Sequence, residues 1–231
     1  MVGYSFAGKL RRRLLVTLAT ALVSFFALLL LLRFVNPPTS AFMVAYSLSD
    51  ADRPLRQQWV PIDDISPWMQ LAVIASEDQR FPHHWGVDVG AIRQALAEYW
   101  TGGDLRGAST ITQQTAKNLF LWNGRSYLRK VLEAGLAMSL EVLWSKQRVL
   151  EVYLNIAEFG PGIYGVEAAS LAYFGIPARQ LSPSQAARLA AVLPNPKVLN
   201  AGSASPYLLE RIGWIRRQML QLKGMGYLQA L

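Results

Sequence analysis

The sequence predicts a mainly α-helical protein, with a single N-terminal transmembrane helix followed by a helical domain. Three observations predict this. Leu14 to Leu32 runs for nineteen residues without a charge. The rest of the chain is punctuated by helix-start signals set in front of apolar residues at helical spacing. No segment has a strong strand pattern, and there is no internal repeat.

The apolar run covers roughly 28 Å at the α-helical rise, close to the hydrocarbon thickness of a bilayer. Lys9, Arg11, Arg12 and Arg13 precede it, and Arg33 alone follows closely before Asn36-Pro37-Pro38. That asymmetry keeps the N-terminus in the cytoplasm and exports the chain beyond Pro38. A cleaved signal peptide is the rival reading. The run is longer than a usual signal core, and no small-x-small cleavage site follows it before Arg33. The chain thus divides into a basic tail at 1–13, a membrane helix at 14–35, a linker at 36–60 and a main domain at 61–231.

Within the domain, Ser66-Pro67 caps a helix through Trp68 to about Asp78. Asp88 caps a second helix reaching Trp100. Three glycines make 101–108 a mobile loop. Thr110 with Gln113 forms a capping box for the next helix. Ser126 and Ser145 cap two longer helices, the second broken by Gly160-Pro161-Gly162. Gly175 and Pro177 end another helix, and Ser182-Pro183 starts one that stops at Pro194-Asn195-Pro196. The tail from Pro206 to Lys223 has Leu209, Ile212, Ile215, Met219 and Leu222 on one helical face.

Composition narrows the function. Hydrophobic residues make up 52% of the chain and charged residues 16%, which excludes a disordered chain. Lys and Arg number 23 against 15 Asp and Glu. An exported basic, apolar-rich domain suits an anionic membrane surface or a phosphate-bearing ligand, and the anchor argues against nucleic acid. There is no cysteine, so neither a disulfide nor a thiolate metal site is available.

Chemistry shows in three segments. Glu77 and Asp78 follow the apolar run Leu71 to Ala75 directly. A carboxylate against an apolar wall loses hydration, its pKa rises, and it suits acid or base work; a solvated helix end is the plainer alternative. His83 and His84 are the only histidines and lack the i,i+4 spacing of a zinc site, so no metal ligands are assigned. Gly107 to Asn118 runs from a glycine loop into a helix N-terminus, which favours anions. Gln113 and Lys117 share a face one turn apart, although ordinary capping explains the segment equally well. From Arg125 to Trp144, apolar positions 128, 131, 132, 136, 140 and 143 form a stripe with Arg129 inside it and Glu133 at its margin. Lys130 and Glu141 point away. A charge on an apolar face needs a partner or a task, and an Arg129–Glu133 ion pair would meet that need.

In order and spacing these segments resemble the signature motifs of the peptidoglycan glycosyltransferase family. The first two are Glu77-Asp78-x-x-Phe81-x-x-His84-x-Gly86 and Gly107-x-Ser109-Thr110-x-x-Gln113-Gln114-x-x-Lys117-Asn118. Arg129-Lys130-x-x-Glu133 and Glu151-x-Tyr153-Leu154-Asn155 match the next two. Tyr164-Gly165-Val166-x-Ala168-Ala169 and Ser182-Pro183-x-Gln185-Ala186-Ala187-x-Leu189-Ala190 complete the set. The similarity extends from about Pro61 to Pro196. With no Ser-x-x-Lys and no Lys-Thr-Gly, the chain looks like the monofunctional form, without a penicillin-binding transpeptidase domain.

The resemblance implies a lysozyme-like helical head with a small membrane-facing subdomain, in the bacterial inner membrane. It implies lipid II and a growing glycan on a lipid diphosphate as substrates, β-1,4-linked glycan as product, and moenomycin as an inhibitor. Glu77 would be the general base and Glu133 a second essential carboxylate, orienting cations or helping to hold a divalent ion (Mg2+ or Mn2+). Lys117 and Arg125 would stabilise the diphosphate leaving group. Asp78, His84, Ser109, Thr110, Gln113, Gln114, Asn118, Arg129, Lys130 and Asn155 would contact substrate. Cell-division or elongation proteins would be partners.

Overall fold

The computed structural model describes residues 6–49, 51–101, 109–124, 126–203, 205–222 and 224–231. The chain divides into two compact units, residues 1–37 and 38–231. The first contains helix α1 (Phe6–Leu32), long and apolar enough to cross a membrane by length and composition. The helix takes in the basic cluster as well as the apolar run, because Lys and Arg are good helix formers and nothing breaks the chain between them.

The second unit is mainly α-helical. Between 36 and 60, where the sequence reads as a linker, lies α2 (Ala41–Ser47), capped by Ser40 Oγ accepting from the Met43 amide at 3.2 Å and holding Met43 in the core. β1 (Arg56–Gln57) follows. α3 (Pro67–Glu77), α4 (Val89–Trp100), α5 (Ile111–Phe120), α6 (Tyr127–Leu143) and α7 (Lys146–Ile156) come next. A hairpin of β2 (Glu158–Gly160) and β3 (Ile163–Tyr164) turns at Pro161-Gly162. α8 (Val166–Phe174), α9 (Pro183–Val192) and α10 (Pro206–Gln221) complete the fold.

The strands form a sheet in the order β1-β3-β2, with β1 parallel and β2 antiparallel to β3. Such two- and three-residue strands leave no period-two pattern to read. α3 is the core helix: Met69 and Leu71 to Ala75 are fully buried, and α9 and α10 pack against it. α5 packs against α6 and α7, and α2 packs on α5. The capping boxes at Thr110–Gln113 and Ser182–Gln185 both form.

α6 departs from its reading. Leu128, Val131 and Leu132 of the apolar stripe are exposed, and its Leu140 is buried at the edge it shares with Glu133 and Ala137. Glu141 points away from the stripe, as its spacing predicts, but that side of α6 faces the protein. Its carboxylate accepts from Thr112 Oγ1 at 2.5 Å and from Lys146 Nζ at 2.7 Å. α5 covers only one side of α6, so the partners available there, not the apolar stripe, decide which side is buried.

Candidate active site

Glu77 is the last residue of α3, so burial of that helix places its carboxylate at the wall of the core. Its side chain is only 11% exposed. One oxygen accepts from Gln114 Nε2 at 3.1 Å; the other accepts from Ser76 Oγ at 3.2 Å and faces Arg211 at 3.5 Å. Gln114 is held in turn, its Oε1 accepting from the Tyr153 hydroxyl at 3.0 Å. Burial raises the Glu77 pKa above the usual carboxylate value, while Gln114, Arg211 and Ser76 pull it down. A carboxylate with a raised pKa holds a proton more readily than a free one, which suits a general base.

Glu77, Ser76, Ser109, Gln114, Lys117, Leu193, Pro194, Arg211 and Trp214 line one cleft of about 680 Å³. Lys117 lies one turn beyond Gln114 on α5, and its ammonium sits 5.4 Å from the centre of the Phe42 ring. Burial lowers its pKa; Glu133 opposes that effect, whereas Arg129 and Lys130 reinforce it. Glu133 is buried and binds both of those cations, Arg129 at 2.5 Å and Lys130 at 2.6 Å. The ion pair foreseen within α6 is therefore present, with Lys130 as a second partner. Lys130 also donates to Ser109 Oγ at 2.7 Å, which ties the cluster to the cleft. Arg129 and Lys130 thus share one carboxylate while both act on the Lys117 ammonium, and an incoming anion would relieve the mutual repulsion of the three cations.

The other site residues fall into two groups. Asn118 lines a smaller cavity adjoining the cleft. Asp78, His84, Thr110, Gln113 and Asn155 have polar atoms engaged in bonds that hold the site's elements together. Asp78 meets His84 Nε2 at 2.9 Å and accepts from the Ile111 amide at 2.9 Å, fixing the start of α5 behind Glu77. Thr110 and Gln113 cap each other's backbone, and the Thr110 hydroxyl donates to the Gly86 carbonyl. Gly86 has φ +75°, and a Cβ there would lie 2.8 Å from the Ala137 carbonyl oxygen on α6, so glycine is required. Asn155 pairs with the Val60 amide and carbonyl, both at 2.9 Å. Arg125 and the 102–108 part of the glycine loop lie outside the described residues.

Sequence reasoning missed Arg211 and Trp214, and gave Tyr153 a motif position without a role. Arg211 stands 134 residues from Glu77 and reaches it because α10 packs on α3. No local signal marks it. Among the described residues, no group of three or more histidines and acids is placed to hold a metal ion.

Comparison of the sequence with known proteins points to one family. The transglycosylase family profile covers residues 45–220. A protein named biosynthetic peptidoglycan transglycosylase from Marinomonas sp. (strain MWYL1) is 57% identical over 210 residues, covering 91% of each chain. One of the same name from Pseudomonas fluorescens is 52% identical over 224 residues, covering 95% of this chain and 93% of the relative. Another from Citrobacter koseri is 54% identical over 224 residues, covering 94% and 93%. With a family profile across most of its length and relatives this similar from end to end, the chain belongs to the transglycosylase family.

Proposed function

We propose that this protein is a peptidoglycan glycosyltransferase that polymerises lipid II into β-1,4-linked glycan strands, releasing undecaprenyl diphosphate. The observation that supports this most is a cleft lined by both a half-buried carboxylate and a half-buried ammonium, Glu77 and Lys117. A sugar hydroxyl is a weak nucleophile, so its proton must leave as the new bond forms. In this reading the acceptor hydroxyl gives its proton to Glu77 and attacks the anomeric carbon of the donor. The bond from that carbon to the diphosphate breaks on the opposite face, and the configuration inverts. Lys117, with Arg125, takes up the charge that grows on the diphosphate. Glu133 acts through its neighbours, fixing Arg129 and holding Lys130 toward Ser109.

The donor set does not fit a caged divalent cation. Both Glu133 oxygens hold cations, and both Glu77 oxygens are hydrogen-bonded. Any Mg2+ or Mn2+ in this reading travels with the substrate's diphosphate.

Both substrates are anchored by long lipids, so the reaction belongs at a bilayer surface. We place α1 as a single-pass anchor in the bacterial inner membrane, with the basic N-terminus cytoplasmic and the catalytic domain outside. The exposed Leu128, Val131, Leu132 and Val142 on α6 give the catalytic domain an apolar surface for the outer leaflet. Partner proteins would come from the cell-wall synthesis and division machinery.

The test is to incubate the detergent-purified full chain with labelled lipid II, beside a Glu77→Gln variant. Muramidase-sensitive polymer from the wild type alone is the expected result. Cleavage of preformed glycan without synthesis, or intact lipid II with a folded wild type, would overturn the reading.

A further inference from the structure

A second cavity of about 270 Å³ shares Gln114, Lys117, Leu193 and Pro194 with the cleft but not Glu77. It leads from Lys117 to the β2–β3 hairpin, where Glu158 stands opposite Tyr164 across the strand pair. Glu158 Oε1 is buried and has no hydrogen-bond partner among the described residues. Burial raises the carboxyl's pKa, with Lys197 and the Gly162 backbone amide pulling the other way. Asn118, Asn123 and Asn195 line the same cavity. A folded chain rarely leaves a buried oxygen unpaired, and because Glu158 lines the cavity a turn of its carboxyl brings that oxygen to a ligand donor. That oxygen keeps its lone pairs whether the carboxyl is ionised or neutral, so it accepts an N–H in both states.

We propose that Glu158 is a specificity-determining residue whose Oε1 accepts an amide N–H from the sugar or stem peptide of the diphosphate-linked donor. The assignment rests on the reading in which Lys117 meets the donor's diphosphate; the cavity then receives what that diphosphate carries. Both the disaccharide's acetamido groups and the stem peptide present amide N–H groups of this kind. None of the proposed reaction's steps uses Glu158. Its contribution is therefore to binding and not to the chemical step.

The experiment compares the full chain in detergent with Glu158→Met, which keeps the bulk and removes the acceptor, and Glu158→Gln, which keeps a carbonyl acceptor. Three lipids probe binding: polyprenyl diphosphate, the same lipid bearing the disaccharide without its stem peptide, and complete lipid II. The Glu158→Met protein is expected to melt no lower than wild type and to bind polyprenyl diphosphate unchanged. It should bind lipid II about tenfold more weakly and raise KM by a similar factor, with kcat held within about twofold. Glu158→Gln should restore binding. Weakening with the stemless lipid assigns the N–H to the sugar, and weakening with complete lipid II alone assigns it to the stem; either supports the proposal. Equal loss with all three lipids, or no loss with Glu158→Met, overturns it. A wild type that binds lipid II without polymerising it would sink the polymerase reading and leave the binding comparison able to judge Glu158.

Discussion

Removing the Arg211 charge should move the pH at which the enzyme switches on. Arg211 faces Glu77 at 3.5 Å, with its side chain 21% exposed and anchored by its Nε bond to the Ala191 carbonyl. At an effective dielectric of 20, two unit charges that close attract by roughly 4–5 kcal/mol, which is a ceiling. Solvent reaches the guanidinium, and Gln114 and Ser76 continue to bond the carboxylate after Arg211 is gone. About 1.4 kcal/mol is the working figure, tenfold in the ionisation constant. The sign comes from the chemistry. Arg211 favours ionised Glu77, the base must be ionised to act, and losing the cation raises the pKa further. Arg211→Met should therefore shift the acid limb of kcat/KM upward by about one pH unit. Below the limb the rate falls roughly tenfold, and on the alkaline plateau it stays near wild type. Initial rates of lipid II polymerisation across the acid and neutral range give the profile. A uniform loss at every pH with the limb in place would refute the reasoning, because Arg211 would then be binding substrate instead of tuning the base.

The same geometry sets three further outcomes. Because burial raises the Glu77 pKa, ionising it costs the folded state stability that appears only above the ordinary carboxylate pKa. Glu77→Gln should melt above wild type at pH 8 and together with it near pH 4, read by calorimetry; a constant offset would contradict this. His84→Ala leaves the buried Asp78 side chain with the Ile111 amide but without its imidazole, a loss of about 2–3 kcal/mol and roughly 8 °C in Tm. An unchanged melt would show that the pair is dispensable. Gly86→Ala forces a Cβ against the Ala137 carbonyl at a positive φ and should cost roughly 2 kcal/mol in denaturant unfolding.

The sequence by itself determined what depends on near neighbours. Helix starts at Thr110, Ser126, Ser145 and Ser182 were legible because a cap and its amide lie within three residues of each other. Ser66, in contrast, does not cap α3: its hydroxyl donates to the Leu181 carbonyl, and Pro67 in the first turn marks that start. Glu77 stood out because the apolar run of its own helix predicts burial, and the Arg129–Glu133 pair because one helical turn joins them. Tertiary structure decided whatever joins distant segments. Arg211 meets Glu77, Tyr153 orients Gln114, and Glu141 turns inward to Thr112 and Lys146 only after helices cross at particular angles. The same holds for the solvent-facing stripe of α6 and for the orphan oxygen of Glu158. A local bond is written in spacing along the chain, whereas a contact between helices depends on how their buried faces pack, which no window of neighbouring residues contains.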